Sequence, residues 1–294
     1  LAYALAEAMP IMSQYPSSIV AYARDADNSY LAGEILRQPD LAWSLERISE
    51  QGANAFYSGD IAEKIVDFMD RSGGYISSQD LQNYQVKERE PIATNYRQHK
   101  VVTMPPSSVG GVALLQMLNV LKQFDLSRIE PGSARSLHLL AEVMKRVNAN
   151  RRQGIGDTDF VSVPINGILS EELAKEIAAS IDLEVALPVS AIKPIDANPY
   201  DSRETTHYSV MDDFGNAVST SYTLGYSFGS GLVVPGTGIL LDNQMRNFSH
   251  REPGHANEMR PGKRPVSTMT PTLVFDVNDA VSYTHLTLPT NREV

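Results

Sequence analysis

The chain is organised around a strand–turn–strand pattern at residues 204–222. Aromatic and β-branched residues on both sides predict strands, and Asp213-Phe214-Gly215-Asn216 between them has the composition of a tight turn. Thr205 stands at the head of the first predicted strand. If the peptide bond before it is cut, Thr205 carries both a hydroxyl and a free α-amine. An α-amine titrates near pH ~8, so it can act as general base for its own hydroxyl at neutral pH.

Composition excludes several function classes. The 294 residues can bury one large core or two modest ones, and 42% apolar with 20% charged residues is ordinary for a globular protein. The formal net charge of −10 argues against a nucleic-acid partner. No apolar stretch approaches the ~20 residues that cross a bilayer. The absence of cysteine excludes disulfides, thiol catalysis and zinc–thiolate sites.

The periodicity and capping signals predict a largely helical first part. Predicted helices occupy residues 1–14, 39–52, 60–73 (capped by Asp60), a short stretch after the capping box at Ser77, 112–124, 133–152 and 171–182, and one strand is predicted at 96–104. The proline-rich residues 188–200 predict an exposed linker that leads to Glu204 and Thr205.

Two loops invite a ligand interpretation. Ser107-Ser108-Val109-Gly110-Gly111 precedes a predicted helix and could hold an anion, but close strand-to-helix packing is the preferred interpretation. Gly154-Ile155-Gly156-Asp157-Thr158-Asp159 lacks the ligand spacing and closing Glu of a calcium loop, so we predict no metal there.

Several motifs in this order resemble the γ-glutamyltranspeptidases (glutathione hydrolases). They are Met104-Pro105-Pro106-Ser107-Ser108, Gly156-Asp157-Thr158-Asp159-Phe160, Thr205-Thr206-His207-Tyr208-Ser209-Val210, Gly215-Asn216-Ala217-Val218, Phe228-Gly229-Ser230-Gly231, Gly236-Thr237-Gly238-Ile239-Leu240-Leu241 and Arg264-Pro265-Val266-Ser267-Thr268-Met269-Thr270-Pro271-Thr272. The resemblance covers roughly residues 1–276.

The resemblance implies an α+β fold, the four-layer αββα sandwich of the N-terminal-nucleophile hydrolases, here truncated at both ends. It also implies a proenzyme that cuts itself between Glu204 and Thr205. Residues 1–204 would then be the mostly helical C-terminal part of the large subunit. Residues 205–280 would be the N-terminal part of the small subunit, and 281–294 would be a non-native tail, since they resemble nothing in the family.

The same resemblance assigns the site residue by residue. Thr205 is the nucleophile that forms a γ-glutamyl acyl-enzyme, and Thr223 matches the threonine that orients it. Gln244 and Asn247 match positions that contact the substrate's α-amino group. Ser267 and Thr268 match a hydroxyl pair that binds its α-carboxylate.

Without the resemblance, Thr223 is simply a strand residue and the pair Ser267-Thr268 lies in a turn. His207 is expected to have a structural role. The resemblance implies no cofactor and no metal. It implies glutathione or another γ-glutamyl compound as donor, with water or an amino acid or peptide as acceptor. A periplasmic or secreted location rests on the resemblance alone, because the chain shows no signal peptide.

Departures from the family pattern open alternatives. Gly225 stands where the family usually has Asn, and Asn247 where it usually has an acidic residue that pairs with the ammonium. The segment 249–263 is short for a lid loop. The family's carboxylate-binding arginine and its oxyanion-hole Gly-Gly pair have no match, so we expect poor activity from the chain as given. The alternatives are an acylase of altered acyl specificity, similar to cephalosporin acylases, and a catalytically dead binding homologue.

Overall fold

The computed structural model describes residues 1–25, 28–151, 154–192, 206–250, 253–278 and 280–285. The chain divides into two compact units. The first comprises Leu1–Glu88 with Thr223–Gln244, and the second comprises Arg89–Tyr222 with Met245–Val294. This division is spatial, whereas the predicted division at residue 204 concerns cleavage of the chain. The predicted subunit boundary therefore stays a prediction.

Where the structure describes the first unit, six α-helices build it. They are α1 (Ala2–Met12), α2 (Pro16–Tyr22), α3 (Pro39–Gln51), α4 (Ala53–Tyr57), α5 (Asp60–Ser72) and α6 (Ser78–Asn83). Four of them were predicted from periodicity and capping signals. The short helices α2 and α4 were not, because too few turns are present for an apolar period to show.

Helix α5 supplies the centre of this unit's core. Ile61, Ile65 and Met69 are buried together with Val234 from the later segment. The predicted cap at Asp60 is wrong, because Gly59 is the N-cap and Asp60 is the first helical residue. A carboxylate in that position still opposes the positive end of the helix dipole.

The capping box of α6 is confirmed. The Ser77 hydroxyl accepts from the Asp80 amide at 3.2 Å, and the Asp80 carboxylate accepts from the Ser77 amide at 2.8 Å. Two backbone donors at the helix start are thereby satisfied. The hydrogen bond from the Ser77 hydroxyl is the main reason that the pKa of Asp80 lies below its ordinary value.

The described strands of the second unit form two antiparallel sheets. Its strands are β1 (Ile92–Tyr96), β2 (His99–Thr103), β3 (Thr206–Met211), β4 (Ala217–Tyr222), β5 (Thr272–Phe275) and β6 (Val281–His285). One sheet has the order β1-β2-β5-β6, and β3 pairs with β4 in the other. The predicted α+β class is thus confirmed.

The strand predicted at residues 96–104 is confirmed in part, because its residues His99–Thr103 form β2. Its predicted start is wrong, since the chain turns at residues 97 and 98, and the preceding strand β1 of this hairpin was not predicted. Arg97 lies in its two-residue turn with φ 57°. A left-handed residue in such a turn is usually Asn, Asp or Gly. An arginine gives no turn signal, so the predicted strand included Arg97.

The hairpin β3–β4 is confirmed in the predicted place, with Tyr208 opposite Thr220 and Val210 opposite Val218. Asp212 holds the turn, since its Oδ1 accepts from the amides of Phe214 at 3.0 Å and Asn216 at 2.9 Å. The side-chain hydrogen bond from Asn216 is the main cause of a pKa of Asp212 below its ordinary value.

Among the described residues of the second unit, the α-helices are α7 (Val109–Leu121), α8 (Ala134–Arg151), α9 (Ile165–Ile168) and α10 (Glu171–Ala179). Helix α7 begins before the predicted residue 112, because Ser108 caps it by accepting from the Gly111 amide. Helix α10 ends before the predicted residue 182.

The helical spacing of Leu137, Leu140, Met144 and Val147 predicts the apolar face of α8, and this prediction is wrong in part. Leu137, Leu140 and Met144 are exposed, whereas Leu139 and Val143 lie in the core with Val147. Leu residues fall on both sides of this helix, so spacing alone could not choose the face that packs against α7 and α10.

An ion pair lies on the buried face of α8. Glu142 contacts Lys145, and its Oε2 accepts from Arg146 Nη1 at 2.6 Å. Arg146 also donates to the Ser180 carbonyl oxygen at 2.7 Å. Burial raises the pKa of Glu142, but the hydrogen bonds and positive charges of its two neighbours outweigh burial and bring the pKa below the ordinary value.

The predicted exposed linker lies largely outside the described residues, which end at Ile192 and resume at Thr206. Before the gap, Val189–Ala191 forms a 3₁₀ turn. Of the predicted tail, Val281–His285 forms β6 and the rest is outside the described residues. Among the helices that the structure describes, none is long and apolar enough to cross a membrane.

Candidate active site

The proposed nucleophile Thr205 and its partner in cleavage, Glu204, lie outside the described residues. The described chain resumes at Thr206, the first residue of β3. Thr206 pairs with Tyr222, the last residue of β4. The two residues of this terminal pair are therefore the sequence neighbours of Thr205 and Thr223.

His207 projects from β3 toward hydroxyl groups. Its Nδ1 lies 2.8 Å from Ser221 Oγ and its Nε2 lies 3.2 Å from Ser209 Oγ. The ring is half-buried, and the same face of the hairpin is tied to β5 by the Thr272 amide, which donates to Ser219 Oγ at 3.2 Å. These contacts give His207 the packing role expected from the sequence.

In the first unit, Thr223 begins a tight turn. Its hydroxyl oxygen accepts from the Gly225 amide at 3.0 Å, which is the geometry of a Thr-containing turn. Gly225 has φ 95°, a conformation that favours glycine.

Asn243 packs directly on Gly225. Its Oδ1 lies where a Cβ of residue 225 would stand, and it accepts from the Tyr226 amide at 3.0 Å. The missing side chain at residue 225 is thus replaced locally by an amide from another segment. No local pattern in the sequence indicates this pairing, because it depends on how two loops meet.

Gln244 and Asn247 bound a 3₁₀ turn, Gln244–Asn247. Asp242 starts it, since its Oδ1 accepts from the Gln244 amide at 2.7 Å. In the second unit, Asn247 Nδ2 donates to the Val266 carbonyl oxygen at 3.3 Å. Asn247 is thereby brought next to the segment that leads into Ser267 and Thr268.

The pair Ser267-Thr268 is held against the start of α7. The Val109 amide donates to the Ser267 carbonyl oxygen at 2.8 Å, and the Ser267 amide donates to the Ser107 carbonyl oxygen at 3.1 Å. A Cβ on Gly110 would overlap the Thr268 carbonyl oxygen. Glycine therefore permits close packing at this turn, as the preferred interpretation of the sequence held.

Asp157 anchors the beginning of the same segment. It is fully buried, and it accepts from Arg89 Nη2 at 3.0 Å and from the Arg264 amide at 2.9 Å. Asp159 accepts from the same Arg89 nitrogen at 2.9 Å but is partly exposed. The loop that resembled a calcium site is thus an ion-pair anchor for the residues before Ser267. Over the described residues there is no group of three or more His, Asp or Glu placed to hold a metal ion.

Asn257 is a residue that the sequence reasoning missed. It is buried, its Nδ2 donates to the Asn247 carbonyl oxygen at 2.6 Å, and its Oδ1 accepts from the Val266 amide at 3.1 Å. One amide side chain thus joins two segments that carry predicted substrate contacts. An asparagine among other polar loop residues gives no such indication in the sequence.

Comparisons with known proteins agree with this architecture. A solved structure of a cephalosporin acylase from Bacillus halodurans superposes with a TM-score of 0.82 at 30% identity, covering 96% of this chain and 50% of that one. The γ-glutamyltranspeptidase of Helicobacter pylori superposes with a TM-score of 0.63 at 38% identity, covering 66% of this chain and 55% of that one. The fold is that of the N-terminal-nucleophile hydrolases.

The family model described as Gamma-glutamyltranspeptidase matches residues 1–285. The glutathione hydrolase proenzyme of Escherichia coli (strain K12) is 45% identical over 251 residues, which are 82% of this chain and 43% of that protein. The chain belongs to the γ-glutamyltranspeptidase family. It spans less than half the length of the curated relatives it matches.

Proposed function

We propose that this chain is part of an autoprocessing γ-glutamyl hydrolase and transferase whose nucleophile is Thr205. Family membership supports the proposal, and so do the proenzyme names of its relatives. The single structural observation that carries it is the β3–β4 ladder. Its terminal pair, Thr206 and Tyr222, adjoins in sequence both the nucleophile and its proposed partner Thr223.

The chemistry has two stages. In the first, the Thr205 hydroxyl attacks the carbonyl carbon of Glu204, the acyl group moves from nitrogen to oxygen, and water hydrolyses the resulting ester. Thr205 then carries a free α-amine, which accepts the proton of its own hydroxyl. In the second stage this hydroxyl attacks the γ-glutamyl amide of a donor such as glutathione. The amine leaves, and water or an acceptor amine takes the γ-glutamyl group from the enzyme.

The remaining site residues bind the donor. Gln244 and Asn247 contact its α-amino group, and Ser267 with Thr268 binds its α-carboxylate. One carbon atom of the substrate bears both the ammonium and the carboxylate, so the residues that bind these groups must lie close together. The hydrogen bond from Asn247 to the carbonyl oxygen of Val266, which precedes Ser267, supports this for Asn247 and the pair Ser267-Thr268.

The large and small subunits come from the same precursor, and the reaction uses no cofactor. We place the enzyme in the periplasm or outside the cell, as in the family.

Mass analysis of a full-length precursor that contains this chain tests the nucleophile. We expect cleavage between residues 204 and 205 in the wild type and an intact chain in Thr205→Ala. Thr206→Ala is the matched control, since it changes a neighbouring threonine to which the proposal gives no role in the chemistry. An intact wild-type chain would leave the catalytically dead homologue as the better account.

A second candidate is an acylase that prefers a different acyl group. Gly225 and Asn247 favour it, since both remove a family contact to the substrate ammonium, and so does the similarity to a cephalosporin acylase. Rates with γ-glutamyl and glutaryl p-nitroanilide separate the two candidates, because the glutaryl group keeps the carboxylate and lacks the ammonium. Faster turnover of the glutaryl compound would favour the acylase.

A further inference from the structure

Asn257 is fixed in the second unit from several sides. Its backbone carbonyl oxygen accepts from the Ser249 amide at 2.9 Å, and its amide donates to His255 Nδ1 at 3.0 Å. The neighbouring Ala256 carbonyl oxygen accepts from the buried Lys263 ammonium at 2.7 Å. Only 3% of Asn257 is exposed, so its side chain is packed on all sides.

Both ends of the Asn257 amide are used, and each goes to a different segment. The donor end binds the Asn247 carbonyl oxygen and the acceptor end binds the Val266 amide. Both partners are backbone groups, so the bridge constrains the course of the chain itself. The separation between Asn247 and the residues after Val266 is therefore set by the size of one amide.

This separation matters for a substrate with two charged groups on one carbon atom. Under the proposed function, Asn247 meets the ammonium, and Ser267 with Thr268 meets the carboxylate. The covalent structure of the substrate fixes the distance between those groups. Protein segments that drift apart would lose one contact whenever they kept the other, and positioning of this kind contributes strongly to binding and rate.

Burial of an asparagine does not by itself indicate such a role, because buried polar groups are generally hydrogen-bonded. Asn119 shows the ordinary case in the same unit. It is also buried, its Nδ2 donates to the Leu169 carbonyl oxygen at 2.9 Å, and its Oδ1 accepts from the Thr94 hydroxyl at 2.7 Å and from Lys122 Nζ at 3.2 Å. None of these three partners belongs to a predicted substrate-binding segment. The two asparagines therefore form a matched pair that differs in what they connect.

We propose that Asn257 is a positioning residue that sets the spacing between the ammonium-binding and carboxylate-binding segments, and so determines preference for an α-amino acid acyl group. The inference rests on the proposed function. It assigns Asn257 no contact with substrate, because its side chain is committed to the two backbone groups.

The test compares Asn257→Ala and the milder Asn257→Ser with Asn119→Ala and Asn119→Ser in the full-length precursor. The readout is the ratio of kcat/KM for γ-glutamyl p-nitroanilide to that for glutaryl p-nitroanilide. We expect the Asn257 variants to lower this ratio about tenfold, mainly through a higher KM for the γ-glutamyl donor, which corresponds to ~1.4 kcal/mol of discrimination. The Asn119 variants should leave the ratio unchanged even where they lower the melting temperature. Cleavage before Thr205 should persist in all four variants, because that step binds no free donor.

The possible outcomes distinguish a failure of the role of Asn257 from a failure of the proposed function. If the wild type turns over the γ-glutamyl donor and the Asn257 variants lower both rates by the same factor, Asn257 is only structural and the inference is wrong. If the cleaved wild type turns over no γ-glutamyl donor, the proposed function fails, and the inference fails with it.

Discussion

Asp157 and Asp159 pair with the same arginine, and comparing them separates the effect of burial on the stability of an ion pair from the effect of distance. Both carboxylates accept from Arg89 Nη2, at 3.0 Å and 2.9 Å. Their side chains differ in exposure, 0% for Asp157 and 32% for Asp159. If distance alone set the energy, neutralising either carboxylate would cost the same.

We expect Asp157→Asn to cost far more than Asp159→Asn. The amide at residue 157 has one acceptor oxygen where Asp157 has two. With that oxygen toward Arg89, the charged hydrogen bond becomes a neutral one, at a cost of about 1 kcal/mol, and the NH2 group faces the buried Arg264 amide, whose lost partner costs a further ~1–3 kcal/mol. The expected loss is therefore about 2–4 kcal/mol. Asp159→Asn removes a partly solvated pair worth at most ~1 kcal/mol.

The assay is urea unfolding of the full-length precursor that carries Thr205→Ala, so that one uncut chain is measured. Both single variants are compared in that background with matched m-values, which keeps the comparison to stability. Equal losses within ~0.5 kcal/mol would refute the reasoning, since that is the usual error of such differences. A larger loss for Asp159→Asn would show that the exposed pair dominates.

Three further predictions concern Gly225, Glu142 and the segment 249–263. Gly225→Asn should destabilise the protein by ~2 kcal/mol, because the left-handed backbone strains a side chain and the Asn243 amide oxygen must leave the Tyr226 amide. Adding Asn243→Ala should recover part of this loss, as measured by thermal unfolding. No recovery would contradict the predicted clash between residues 225 and 243. The stability difference between wild type and Glu142→Gln should be full at neutral pH and shrink as the pH falls below 4.5, because the depressed pKa of Glu142 stabilises the fold only while the carboxylate is charged; a pH-independent difference would refute this. The shortness of the segment 249–263 leads us to expect that water reaches the proposed site, so product analysis with a dipeptide acceptor should show substantial hydrolysis, and dominant transfer would count against this expectation.

The sequence predicted those elements whose signals are local. The hairpin β3–β4, helix α3 and the capping box at Ser77 each depend on residues within a few positions of one another. The same is true of the glycine-rich turn before α7. In these places composition and periodicity agree with the fold that packing selects.

Elements that depend on distant partners were missed or placed wrongly. Arg97 gives no turn signal, so one strand was predicted instead of β1 and β2. The buried face of α8 depends on α7 and α10, which spacing within α8 cannot reveal. The bridge of Asn257 joins three loop segments, and no pattern in any one of them indicates it.

The predicted cut and the two compact units divide the chain differently, and this has a consequence for the cleaved protein. Each unit contains residues from before and after the bond between residues 204 and 205. In the first unit Val234 packs in the core around α5, and in the second unit β5 pairs with β2. A cleaved molecule would therefore hold its two polypeptides together by buried surface and sheet hydrogen bonds in both units. The two polypeptides would separate only on denaturation, and reassembly would then require two molecules to meet. Refolding of the cleaved protein would therefore depend on concentration, whereas the uncut precursor refolds as one chain.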